Sequence, residues 1–153
     1  MFYRRVIREY ELLINNENTF FYNTLLDKID NNNKITISMK LFSYHHNISF
    51  IFTRDYPFKA PIIYINNKLY TNILIYQKNN IKQNIYEKYF IDKNVCLCCS
   101  TMLCNWSPLN KIINILPEIK TNIEYIHRYI EILHAIKIKQ KYLLDDINIE
   151  SYL

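Results

Sequence analysis

The spacing of apolar and polar positions predicts that the chain opens with a helix. Over residues 2–14, Phe2, Tyr3, Val6, Ile7, Tyr10 and Leu13 recur at the spacing that gathers side chains on one helical face, while Arg4, Arg8 and Glu11 fall on another. The period then shortens. FFYNTLL (20–26) reads as a strand, and in KITISMKLF (34–42) Ile35, Ile37, Met39 and Leu41 alternate with Thr36, Ser38 and Lys40, the pattern of a half-buried strand. ISFIF (48–52) and IIYI (62–65) supply two more, the second after prolines at 57 and 61. The connections are short, and parallel neighbours need a crossover of about a dozen residues, so a four-stranded antiparallel meander is expected.

Residues 72–89 are polar and compatible with a helix, with Ile81, Ile85 and Tyr89 four apart, and an irregular segment follows. From Pro108 onward Ile112, Ile115, Ile119, Ile123, Ile126, Ile130 and Leu133 hold a helical period. Pro117 predicts a kink or break in it, because proline lacks an amide donor and its ring clashes with the preceding turn. The acidic end DDINIESYL is expected to dock or to fray. One helix, a meander, an irregular segment and long helices, with no repeat and no linker, make an α+β chain. Its 153 residues suit a single domain.

Glycine is absent altogether. Turns that need positive φ must therefore fall to asparagine, the next most tolerant residue. The runs NNEN (15–18), DNNN (30–33), HHN (45–47) and NN (66–67) accordingly read as punctuation between elements rather than as ligand-binding stretches. The net charge of +5 is modest and the Lys and Arg residues are scattered, so no nucleic-acid interface is expected. The one local concentration, Arg4, Arg5 and Arg8, is either a solvated surface or a docking point for an acidic partner. No apolar run approaches the roughly 20 residues that cross a bilayer, so no membrane association is expected. The opening MFYRRVIREYELL lacks the order of a signal peptide, and a protein that is not secreted is expected in a reducing compartment, cytoplasmic or nuclear.

All four cysteines, Cys96, Cys98, Cys99 and Cys104, lie just before the only tryptophan, Trp106. A reducing compartment disfavours a disulfide knot. Structural zinc sites favour two separated ligand pairs, whereas this cluster is a single C-x-C-C-x₄-C segment, so no metal is expected and a zinc cluster stands as the alternative. His127 and His134, with Glu131 between them, read as a solvated helical face. One reactive thiol among small, packed neighbours is the other reading left open.

YRRVIREYELL (3–13), FTRDYPFKAP (52–61), VCL (95–97) and WSP (106–108), in that order, resemble the ubiquitin-conjugating enzymes over about residues 1–125. Four motifs in order on suitable elements are more specific than any one of them. The resemblance implies a catalytic core over 1–125 with the fold of that family. Residues 126–153 are then expected to be a helical extension packed on the same domain, in a monomer with no cofactor. It implies that Cys96 accepts ubiquitin, or a ubiquitin-like protein, as a thioester and passes it to a lysine or a ligase, and it leaves structural roles to Cys98, Cys99 and Cys104. Ligases would dock on Arg5, Phe58, Lys59, Pro108 and Leu109, an aromatic anchor on a proline-stiffened corner being suited to a small hot spot. Arg4, Arg5 and Arg8 would attract an acidic groove on the activating enzyme. Tyr56 and Trp106 are assigned to packing.

The chain departs from the family in several places. The spacings from the YPF corner to Cys96 and from Cys96 to Trp106 are longer, and the family's final helices are not recognisable beyond about residue 125. The His-Pro-Asn tripeptide, whose asparagine supports the transition state, is missing. Asn84 and Asn94, which precede Cys96, are the candidates for that amide donor. Three readings follow: an active carrier, the same fold kept as a binding module after catalysis has decayed, or an unrelated small zinc protein.

Overall fold

The computed structural model describes residues 2–17, 20–29, 34–74 and 101–144. Their order is α1 (Phe2–Asn15), β1 (Phe21–Ile29), β2 (Lys34–Leu41), a 3₁₀ turn (Ser43–His45), β3 (Asn47–Phe52), β4 (Ile62–Ile65), β5 (Lys68–Leu69) and α2 (Ile112–Leu144). Residues 70–74 are also helical. The protein is α+β, with an N-terminal helix, an antiparallel sheet and a long helix toward the C-terminal end. No helix among the described residues is long and apolar enough to cross a membrane.

The sheet is a meander in the order β1-β2-β3-β4-β5. Alternation in β2 sends Ile35, Ile37, Met39 and Leu41 to the buried face. The register carries that choice across the sheet: Ile37 pairs with Phe50 and Phe50 with Ile63, while Met39 pairs with Ile48 and Ile48 with Ile65. All of these residues are buried, so each row is a continuous apolar stripe, and a slip of one residue would turn every row toward water.

Among the described residues the sheet has five strands, not the four expected. The fifth is only two residues long and carries no periodicity to read. It exists because Asn66 and Asn67, at φ 48° and 65°, close a tight turn that pairs Ile65 with Lys68. Successive positive φ values are what a two-residue hairpin needs to match strand twist.

In β1 the register shifts between Tyr22 and Leu25, where Asn23 takes φ 54°. An extra residue at a bulge reverses the alternation. It lets Phe21 sit opposite buried Leu41 and Leu26 opposite buried Ile37, although the two are an odd number of residues apart. The bulged Thr24 amide donates to Glu17 Oε1 at 2.6 Å.

Helix α1 buries Val6, Glu9 and Leu13. Tyr3, expected on the apolar face, is 45% exposed, because that face is rotated so that Glu9 lies at its centre. Helix α2 runs through Pro117 without a break. Pro117 itself is exposed.

The chain divides into two compact units, Met1–Lys120 and Thr121–Leu153, with the boundary inside α2. The first holds α1, the sheet and the start of α2, where Ile112, Ile115, Leu116 and Ile119 are fully buried. In the second, Ile123 and Tyr129 are buried and Ile130 and Ile138 are exposed.

The hairpin turn gives a direct test. Asn67→Gly is expected to preserve or raise the melting temperature. Asn67→Val, which places a branched side chain at positive φ, should cost about 1–2 kcal/mol, read by thermal or urea denaturation.

Candidate functional site

Three segments far apart in sequence meet on one face of the first unit: the start of α1, the corner between β3 and β4, and the loop that leads into α2. The corner turns tightly, with the Tyr56 amide donating to Thr53 O at 3.0 Å, the Lys59 amide donating to Asp55 O at 3.0 Å, and a cis Tyr56–Pro57 peptide. Side chains two residues apart have opposite exposure across it. Tyr56 is buried, its ring 4.8 Å from Phe52 and 6.0 Å from Trp106 between centroids, whereas Phe58 is 78% exposed.

The loop of residues 101–111 is held at several points. The Trp106 indole N–H donates to Pro57 O at 2.7 Å, which staples loop to corner. Ser107 accepts from the Asn110 amide at its carbonyl (2.9 Å) and from the Leu109 amide at Oγ (3.3 Å), closing a turn that presents Leu109 87% exposed. Earlier in the loop, the Cys104 and Asn105 amides both donate to Thr101 O, and the Met102 amide donates to Glu118 Oε2 at 2.8 Å.

Glu9 sits beneath this face and is 2% exposed. Its Oε1 accepts from the Tyr56 hydroxyl at 2.9 Å, and its Oε2 accepts from the Ile112 amide at 3.2 Å, at the first residue of α2. Arg5 Nε lies 3.1 Å from Oε1 but is not aligned for a hydrogen bond, so the contact is an ion pair. The same guanidinium donates from Nη2 to Asn110 O at 3.3 Å. Burial, together with the adjacent Glu9 charge, holds the Tyr56 phenol far above its ordinary value, so it remains a donor across the accessible pH range.

A groove of about 540 Å³ opens above this network, lined by Arg4, Arg5, Arg8, Pro57 and Phe58. The three arginines differ. Arg5 is engaged internally, whereas Arg4 and Arg8 are exposed. Lys59 is paired with Asp55 at 2.6 Å, and that hydrogen bond raises its ammonium above the ordinary lysine value. Pro108 and Leu109 stand on the neighbouring loop, tied to the helix through Asn110 and Arg5. The docking residues expected from the sequence thus share one neighbourhood, with Arg5 serving as an internal tie.

Cys96, Cys98 and Cys99, and the candidate donors Asn84 and Asn94, lie outside the described residues. Cys104, expected as a packed neighbour, is instead exposed on the loop. Among the described residues no group of three or more His, Cys, Asp or Glu could hold a metal ion, and on α2 His134 and Glu131 are exposed and His127 half-buried. Sequence reasoning missed Glu9. Its signal was a carboxylate set between Val6 and Leu13 at helical spacing, four residues after Arg5.

No protein-family model matches this chain, and no curated protein or solved structure does either.

Glu118 generates a pH prediction. Burial raises its carboxyl above the ordinary value of 4.5, against the smaller opposing effect of the Met102 amide. The folded state therefore holds this proton more tightly than the unfolded state does. The resulting stability is present in full below 4.5 and is lost as pH rises through the folded value. Glu118→Gln should flatten this fall in a series of denaturant melts from pH 4 upward, and an unchanged slope would refute the assignment.

Proposed function

We propose that the protein is a ubiquitin carrier, or a carrier of a ubiquitin-like protein, working through a thioester on Cys96. The observation that carries this reading is the meeting of YRRVIRE, YPF and WSP on one face, where they offer Phe58, Leu109, Arg4 and Arg8 to a partner. Such convergence is what the resemblance requires of segments that share one docking role. Two exposed apolar anchors flanked by cations suit a compact hot spot with a polar rim.

The chemistry follows from sulfur. The Cys96 thiolate attacks the thioester carbonyl of ubiquitin held on the activating enzyme; a new C–S bond forms, the old one breaks, and the enzyme's thiolate leaves. A substrate lysine, as the free amine, then attacks the same carbonyl. The amide forms, the Cys96 thiolate departs, and the amine's proton passes to it or to water. A thiolate is both a good nucleophile and a good leaving group, which an alkoxide is not. Arg4 and Arg8 speed encounter with an acidic surface of the activating enzyme.

The absence of His-Pro-Asn favours a second reading, in which the fold keeps partner docking without transfer. Incubation with activating enzyme, ATP and ubiquitin, followed by a non-reducing gel, separates the two. A carrier gives a band of protein plus ubiquitin that thiol reductant and Cys96→Ala abolish and Cys104→Ala leaves intact. No such band, with ligase binding retained, establishes the binding module instead.

The docking anchors are testable separately. Phe58→Ala and Leu109→Ala should each weaken ligase binding about tenfold, or about 1.4 kcal/mol. Both side chains are exposed, so the melting temperature should stay close to that of the unaltered protein.

A further inference from the structure

We infer that Glu9 is a positioning residue that holds the two anchors of the docking face, Phe58 and Leu109, in a single spatial register. The inference rests on the docking reading above and adds a device to it. Phe58 belongs to the corner and Leu109 to the loop before α2, and neither side chain is fastened by its own burial. Their separation is set by what ties corner and loop to a common support.

That support is one carboxylate. Oε1 reaches the corner through the Tyr56 hydroxyl, two residues before Phe58, and Oε2 reaches the loop's far end through the Ile112 amide, three residues after Leu109. A third tie runs from the carboxylate to Arg5 and on to Asn110 O, beside Leu109. The Trp106 indole closes the circuit on Pro57 O. A carboxylate suits this place because both oxygens accept and its charge strengthens each bond. Glutamine offers one acceptor and brings an NH₂ group toward donors that need a lone pair. An aliphatic residue would fill the helix face and serve neither segment. A buried charge at the centre of an apolar stripe is costly to keep, and the i,i+4 pair with Arg5 within α1 is too weak by itself to offset that cost.

Hydrogen exchange on the full-length protein tests this without any partner. In Glu9→Gln, well below its melting temperature, amides in residues 53–60 and 106–114 should exchange at least tenfold faster, in both segments together. Tyr56→Phe, which removes one tie and keeps the charge, serves if Glu9→Gln does not fold, and should loosen the corner more than the loop. Changes confined to α1 would overturn the inference and leave Glu9 a local structural residue.

Binding to purified ubiquitin ligase catalytic domains, tested singly, supplies the second readout. With Glu9 present, Phe58→Ala and Leu109→Ala should be non-additive, because rigidly held anchors engage together. In the Glu9→Gln background their effects should become additive, which a general loss of stability would not produce. Persistent coupling there overturns the inference. Should neither alanine substitution weaken binding to any ligase, the docking reading falls, and the exchange result still decides the role of Glu9.

Discussion

A single buried carboxylate sets the geometry of the first unit. Glu9 must find donors because water cannot reach it, and the donors it finds come from a strand corner and from the first residue of a helix over a hundred positions away. Apolar packing alone would allow α1 to slide or rotate by small amounts against the sheet, since the hydrophobic effect has no direction. Hydrogen bonds to two separate oxygens remove that freedom. The same requirement explains why Tyr56 is a tyrosine: a phenylalanine would fill the space beside Phe52 and Trp106 but leave one carboxylate oxygen without its partner.

Much of the sheet was legible in the sequence: β2 through its strict alternation, and β3 and β4 as short apolar runs after turn residues and prolines, with hardly an error at their ends. β1 was harder. FFYNTLL reads as a strand, but the bulge at Asn23 cannot be read from it, since a bulge is a property of the pairing and not of one strand. β5 could not be found, because two residues hold no period and their strand status follows from the preceding turn. Pro117 lies inside a continuous helix, so the break that proline allows does not occur there.

Motif order constrains relative position, and the segments named by it do adjoin one another, through Trp106 on Pro57 O and Arg5 on Asn110 O. The roles inside the cluster were not legible from it. Counting Arg4, Arg5 and Arg8 as equivalent cations overlooks that Arg5 is consumed by Glu9 and Asn110, and a periodicity scan counts Glu9 as polar, assigning it to the wet side of the helix. In both cases the missing information is the identity of a partner distant in sequence. The glycine-free composition shows the same limit locally. Asn66 and Asn67 take positive φ as expected, but so do Asn23, inside a strand, and Tyr44 and His45 in the turn between β2 and β3.

The strand order also bears on how copies of the chain behave toward one another. Edge strands offer unpaired amides and carbonyls to any neighbouring chain, and proteins that persist at high concentration keep such edges short or irregular. Among the described strands, one edge is β5, only two residues long and carrying Lys68. The other is β1, whose ladder is interrupted by the bulge at Asn23. Each described edge thus carries an interruption, shortness in β5 and a bulge in β1, of the kind that disfavours pairing between copies.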